Sequence, residues 1–255
     1  MRVVKVGGRA QGDDSLVTAL VRAWKAAPGN LCVVHGGGDE ISDTQKKLGL
    51  QPKMQNGRRV TTAEDLTVVR MVLSGLANKR MVSALVREGL SAVGISGEDG
   101  GLMCAEPRDA ATFGLVGKTP VVRPGILRAL LDAGSLPVIS PVSACSDSAL
   151  SDALNVNGDD AAAAIAVAMQ ADELLFISDV PGVRETSGEP LQTIDADEAR
   201  DLMERGTAAG GMAAKLESAL LALEGGVRTV RIGAIEMLDN ANAGTLIRSA
   251  TGVVR

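Results

Sequence analysis

The chain has no tyrosine, one tryptophan, two phenylalanines and one histidine among its 255 residues. Stacking platforms for single-stranded nucleic acid are made of aromatic faces, so that function is excluded. The lone histidine, His35, rules out a histidine-rich metal site and would have to serve any Ser-His-Asp triad. The three cysteines, Cys32, Cys104 and Cys145, lie far apart with no CxxC pair. That argues against structural zinc and against a disulfide framework. No run of ~18 apolar residues occurs, so no membrane-spanning helix is expected. The opening residues 1–8 are too short and interrupted for a signal peptide, which predicts a cytoplasmic protein with no membrane partner. Basic residues number 26 against 31 acidic ones, a net charge of −5. Generic nucleic-acid binders are basic, so no nucleic-acid partner is expected. Neither GxGxxG nor GxxxxGK[ST] is present, which leaves a dinucleotide fingerprint and a P-loop without support.

What is present is a hydrophobic fraction of 45% and an excess of glycine, 30 residues or about 12% against an average of ~7%. Strands are predicted over 3–6, 31–34, 92–95, 136–139, 174–177 and 229–232. Helices are predicted over 15–26, 40–48, 126–133, 161–171, 198–204 and 213–223. A long helix over 62–88 has Thr62 as its N-cap, with Asp65 three residues on and Gly75 as a bend. Residues 53–60, with Asn56-Gly57, read as a hairpin. Residues 102–122 read as two short strands around a polar loop, and 245–247 as an added edge strand. Apolar strands alternating with helices predict an α/β fold, a three-layer αβα sandwich with a mainly parallel central sheet. No linker or repeat interrupts it, so 1–255 reads as one domain, with two lobes meeting within 155–171.

Chemistry concentrates at a few places. Gly7-Gly8 and Gly36-Gly37-Gly38 follow predicted strands, where open α/β sheets bind ligands; plain strand-to-helix geometry accounts for them equally well. Lys5 lies inside an apolar strand. A buried lysine without an anion is costly, which favours a phosphate neighbour over a snorkelling side chain. Asn155 and Asp159 precede a strongly apolar helix and suit either a cap or a ligand site. Arg59 and Lys215 read by default as exposed, and His35 as a hydrogen-bonded strand end. Gly94-Ile95-Ser96-Gly97 is no more than suggestive of a ligand turn.

Taken in order, seven segments reduce these alternatives. They are Val4-Lys5-Val6-Gly7-Gly8, Val34-His35-Gly36-Gly37-Gly38, Asn56-Gly57-Arg58-Arg59-Val60-Thr61, Leu73-Ser74-Gly75-Leu76-Ala77-Asn78-Lys79, Leu154-Asn155-Val156-Asn157-Gly158-Asp159, Ser178-Asp179-Val180-Pro181-Gly182-Val183 and Gly210-Gly211-Met212-Ala213-Ala214-Lys215. As an ordered set they resemble the amino acid kinase (carbamate kinase-like) family. The resemblance implies that family's fold and ATP-dependent phosphorylation of the side-chain carboxylate of N-acetyl-L-glutamate, a step of arginine biosynthesis. It implies that Lys5 and Lys215 flank the transferring phosphoryl group and that Asp159 holds both lysines. Gly37, Gly38, Arg59 and Asn155 would hold the acylated amino acid. Gly8, Ser178, Asp179, Gly182, Ala209, Gly211 and Met212 would lie near ATP. Mg²⁺ would ride mainly on the phosphates, with no protein metal site. The lobe over about 1–165 would take the acyl-amino acid and the lobe over about 166–255 the nucleotide.

The residue chemistry agrees with that implication. A carboxylate nucleophile is already ionised at pH 7 and needs no general base, which suits a chain with one histidine. Phosphoryl transfer asks mainly for positioning and cationic charge. Two departures from the family's usual wording are Gly158, where alanine is commoner, and Asp160, a second acid after Asp159. The chain starts close to its first strand, which by similarity predicts a homodimer without the N-terminal helix of arginine-inhibited hexamers. Relatives acting on N-acetyl- or carrier-linked 2-aminoadipate or N-succinylglutamate would use the same machinery, since one methylene is worth only ~1–3 kcal/mol. A ligand sensor of the same fold would lack the need for both lysines.

Overall fold

Short runs of valine, leucine and isoleucine build the centre of the molecule. The structure, a computed structural model, describes residues 1–12, 14–55, 57–185 and 188–249; Asn56 of the expected hairpin turn lies outside the described residues. The main sheet has eight strands: β1 (Arg2–Val6), β2 (Leu31–His35), β3 (Ala92–Ser96), β4 (Leu136–Ser140), β5 (Glu173–Ile177), β6 (Thr193–Asp195), β7 (Thr229–Gly233) and β8 (Thr245–Arg248). Their order is β6-β8-β7-β5-β1-β2-β4-β3. Neighbours run parallel except β7 and β8. Helices cover both faces, so β1, β2 and β5 are buried almost throughout, as their unbroken apolar runs require.

The expectation of an edge strand at 245–247 is corrected: β8 lies second, and β6 covers it. Only Ile194 of β6 is buried, between Thr193 and Asp195, so nothing in its composition announces a strand. Helices Gly158–Ala168, Ala196–Glu204 and Gly211–Glu224 pack on one face of the sheet; Asp14–Ala26 and Asn78–Arg87 pack on the other. The β1-to-β2 and β4-to-β5 connections run in opposite directions along the sheet, and right-handed crossovers then place helices Asp14–Ala26 and Gly158–Ala168 on opposite faces. Trp24, on helix Asp14–Ala26, is 6% exposed.

The predicted long helix is a continuous rod of three parts, Ala63–Val69, a π-helical stretch Arg70–Ala77 containing Gly75, and Asn78–Arg87. Thr62 and Asp65 close a reciprocal capping box at its start. A second sheet joins Ala153–Asn155, Val142–Cys145, Met103–Ala105 and Val121–Val122, in that order. The pair expected within 102–122 is one of its two antiparallel pairs. The other two strands are three or four residues each, too short to show a period. Met54–Gln55 and Arg58–Arg59 form the expected hairpin.

Candidate active site

β1 and β2 end side by side, and the chain leaves them through two glycine turns that touch. Gly36 donates to the Val6 carbonyl at 3.0 Å, and Gly7 to that of Ile177. A side chain at Gly8 would sit 3.5 Å from the backbone of Gly37 and Gly38. The strand order turns back between β1 and its neighbours β2 and β5, and there a crevice opens at the carboxyl ends of the strands.

Lys5 occupies the floor. As the fourth residue of β1 it faces helix Gly158–Ala168, and its Nζ lies 2.7 Å from Asp159 Oδ1. The approach is off the hydrogen-bonding direction, so this contact is an ion pair by distance and leaves Oδ1 without a directed donor. Lys215 donates to Asp159 Oδ2 at 3.1 Å. The side chains of Lys5, Lys215 and Asp159 are 8%, 14% and 6% exposed. Burial lowers the Lys5 ammonium below the usual lysine value and Lys215 adds to that, while Asp159 opposes it. Burial alone would raise Asp159; the two ammonium groups outweigh it and hold the carboxylate below its ordinary value. One carboxylate thus shares two cations, and the cluster keeps a surplus positive charge.

Helices Gly38–Lys47, Gly158–Ala168 and Gly211–Glu224 begin with glycine, and all three glycines line one cavity of about 260 Å³. Unpaired N–H groups and the positive ends of the helix dipoles make such starts anion sites. Asn157 caps the second of these helices by accepting from the Asp159 N–H at 2.7 Å. At Gly158 a Cβ would lie 3.2 Å from Lys5 Cε, a tight contact with a side chain that can shift.

Arg59 reaches this cavity from the hairpin. It is 8% exposed and donates to the Gly38 carbonyl at 2.8 Å, to Ser42 Oγ at 2.7 Å and to Gln45 Oε1. Gln45 in turn donates to Asp65 of the capping box. Burial lowers the guanidinium below its ordinary value, with Asp65 and Asp39 opposing. Asn155 lines the same cavity and donates to Thr61 Oγ1 at 3.1 Å.

A second cavity of about 360 Å³ adjoins the first and shares Lys5, Gly8, Gly38 and Gly211 with it. Ser178, Asp179 and Lys215 line it as well. The lysines and Asp159 therefore stand where the two cavities meet.

The amino acid kinase family matches residues 1–234. The chain belongs to this family. It is 45% identical to the acetylglutamate kinase of Paracoccus denitrificans over 258 residues, 97% of this chain and 84% of that protein. It is 41% identical to the acetylglutamate kinase of Methanopyrus kandleri, covering 97% of this chain and all of that protein. Among solved structures it resembles smu.665 from Streptococcus mutans UA159, with a TM-score of 0.86 and 29% identity over 97% of this chain and 98% of that one. The family's fold accounts for the mostly parallel sheet described above.

Of the residues singled out from sequence, Lys5, Gly8, Gly37, Gly38, Arg59, Asn155, Asp159 and Gly211 line the first cavity. Ser178, Asp179 and Lys215 complete the second. Gly182, Ala209 and Met212 lie outside these two cavities. At Gly182 a Cβ would sit 2.5 Å from Thr245 Oγ1, so its place there is one of packing. Gly94 and Gly97, suggestive as a ligand turn, are also packing glycines: a Cβ at Gly94 would meet Asn78 Oδ1 at 2.0 Å, and one at Gly97 the Val142 carbonyl at 2.5 Å. His35 is fully buried. Asn78 donates to its Nε2 at 3.1 Å, so Nδ1 carries the proton and donates to the Gly36 carbonyl at 3.0 Å. Burial pushes the imidazole down to about 4. Sequence reading missed the apolar wall of the first cavity, which includes Ile41, Leu73 and Pro141. Those residues carry no signal that separates them from core.

Proposed function

We propose that this chain transfers the γ-phosphoryl group of ATP to the side-chain carboxylate of N-acetyl-L-glutamate. The products are N-acetyl-L-glutamyl 5-phosphate and ADP, in arginine biosynthesis. The observation that carries the reading is the Lys5–Asp159–Lys215 cluster at the junction of two cavities. The names of its relatives at 41–45% identity support the choice of substrate.

In this reading the acyl-amino acid occupies the first cavity, in the lobe over about 1–165, and the nucleotide the second, against the lobe over about 166–255. A carboxylate oxygen attacks the γ-phosphorus, the bond to the bridging oxygen breaks, and ADP leaves with that electron pair. The nucleophile is ionised at pH 7, so no side chain need take a proton. Lys5 and Lys215 stabilise charge spreading over the transferring group, and Asp159 fixes both ammonium groups beforehand, which is where catalytic advantage lies. Gly8 and the start of helix Gly211–Glu224 supply N–H groups to the phosphates. Arg59 and Asn155, with Gly37 and Gly38, hold the substrate's polar groups; Ser178 and Asp179 border the nucleotide.

Among the described residues no group of three or more His, Cys, Asp or Glu side chains could hold a metal ion. Asp159 is committed to two lysines, which fits Mg²⁺ carried on the phosphates. When bound, it neutralises phosphate charge. We place the enzyme in the cytoplasm as a homodimer. No helix among the described residues is long and apolar enough to cross a membrane. Met71, Leu76 and Val86 are more than half exposed along the helical rod beside β3, the last strand of the main sheet. The test is ADP release with N-acetyl-L-glutamate, with free glutamate as the control. Turnover only with the acylated compound is expected; equal or absent turnover overturns the reading.

A further inference from the structure

We propose that Arg58 is a positioning residue, a clasp that holds the hairpin shut over the phosphoryl-transfer site and couples the two substrate spaces. This rests on the assignment of those spaces made above.

Successive residues of a strand face opposite sides, and the hairpin uses both. Arg59 turns toward helix Gly38–Lys47 and makes its contacts there. Arg58 turns the other way. Its Nη1 donates to Asp160 Oδ2 at 3.0 Å, and its Nη2 lies 3.7 Å from Glu217 Oε2. Asp160 is the residue after Asp159 on helix Gly158–Ala168, and Glu217 lies two residues beyond Lys215 on helix Gly211–Glu224. The buried Ser218 hydroxyl donates to Asp160 Oδ1 at 2.8 Å, which fixes the carboxylate from behind. The pair is shielded from solvent, with side chains 11% and 3% exposed. At the hairpin tip a side chain on Gly57 would stand 3.8 Å from the backbone of Gly210, at the start of the Lys215 helix.

The hairpin is thus stapled to both walls of the crevice. One staple is Arg59 on helix Gly38–Lys47; the other, Arg58, grips the two helices that carry Asp159 and Lys215. A two-strand hairpin of two residues each is marginal by itself. The second acid at position 160, a departure from the family's usual wording, acquires a purpose in this arrangement. Because Arg58 grips the helices that carry Asp159 and Lys215 while Arg59 holds helix Gly38–Lys47 beside the acyl-amino acid space, closing for one substrate prepares the site for the other.

Arg58→Met removes the charge and keeps the bulk. Hydrogen exchange at the amides of Gln55, Arg58 and Val60 is then expected to quicken about tenfold or more in the free protein. The KM for N-acetyl-L-glutamate should rise about tenfold, within the range of coupling between binding sites, while kcat stays within about twofold. A non-hydrolysable ATP analogue should tighten acyl-amino acid binding in the parent and cease to do so in the variant. Arg58→Lys, which keeps a donor for Asp160, should restore most of the protection. Asp160→Asn should reproduce Arg58→Met, and the double variant should be no worse than either single one. A melting curve separates general destabilisation, which would lower the midpoint without a selective change at the hairpin. Unchanged exchange and an unchanged KM in folded Arg58→Met protein overturn the clasp, as does full additivity in the double variant. If the parent fails to phosphorylate N-acetyl-L-glutamate, the substrate assignment falls, and the exchange measurement alone still decides the clasp.

Discussion

Lys5 is a cation placed where sheet packing would prefer valine, and its pairing with Asp159 makes that position tolerable. Replacing either Lys5 or Lys215 by alanine is expected to lower kcat by roughly 10²–10³-fold, the typical loss when one charge contact to a transition state is removed. The KM for the acyl-amino acid should move far less; steady-state kinetics on both substrates would check this, and near-normal turnover would remove the lysines from the mechanism. His35 makes a different kind of test. Unfolded, it binds a proton near pH 6.5; folded, only near about 4. Between those values the unfolded chain holds more protons, so stability is complete above pH 6.5 and falls as the pH drops through the window. The gap corresponds to about 3 kcal/mol. Urea unfolding from pH 7 to 4 should show a slope in the parent that His35→Asn lacks, while the rate profile loses no limb near pH 6.5.

At the scale of elements, the hairpin and β3 carry the sharpest expectations. Arg59→Lys keeps the charge and loses the planar fork. Charge-assisted hydrogen bonds are worth ~1.5–3 kcal/mol, so the KM for N-acetyl-L-glutamate should rise about 10- to 100-fold with little change for ATP. Gly94→Ala would drive a Cβ into Asn78, the residue that holds His35, and is expected to cost ~1–3 kcal/mol in chemical denaturation. The strands around the site were legible because β1, β2 and β5 are apolar on both faces and end in glycine or serine. The strands of the second sheet were not, since Val142–Cys145 and Ala153–Asn155 gain their identity from pairing and not from pattern. β6 escaped for the same reason. Among site residues, Lys5 could be read from the oddity of its setting, whereas Lys215 and Arg59 on their own looked like solvent-exposed cations. Their meaning depended on the ordered resemblance. Arg58 resembled its neighbour in composition, and only its contact with Asp160 separates the two roles.

For the molecule as a whole, the proposed dimer should appear in sedimentation as a single species of twice the chain mass. Met71→Glu with Leu76→Glu should drive it toward monomer, because charges would replace apolar side chains on the exposed rod. An unchanged sedimentation coefficient would place the interface elsewhere. The scarcity of aromatic rings has an optical consequence. With no tyrosine and one tryptophan, the protein's near-ultraviolet emission comes almost wholly from Trp24, which sits on helix Asp14–Ala26 on the sheet face opposite helices Gly158–Ala168 and Gly211–Glu224. Emission should therefore stay silent while ligands bind and change only when that layer of the sandwich opens, leaving the crevice itself dark enough to be watched with a fluorescent nucleotide.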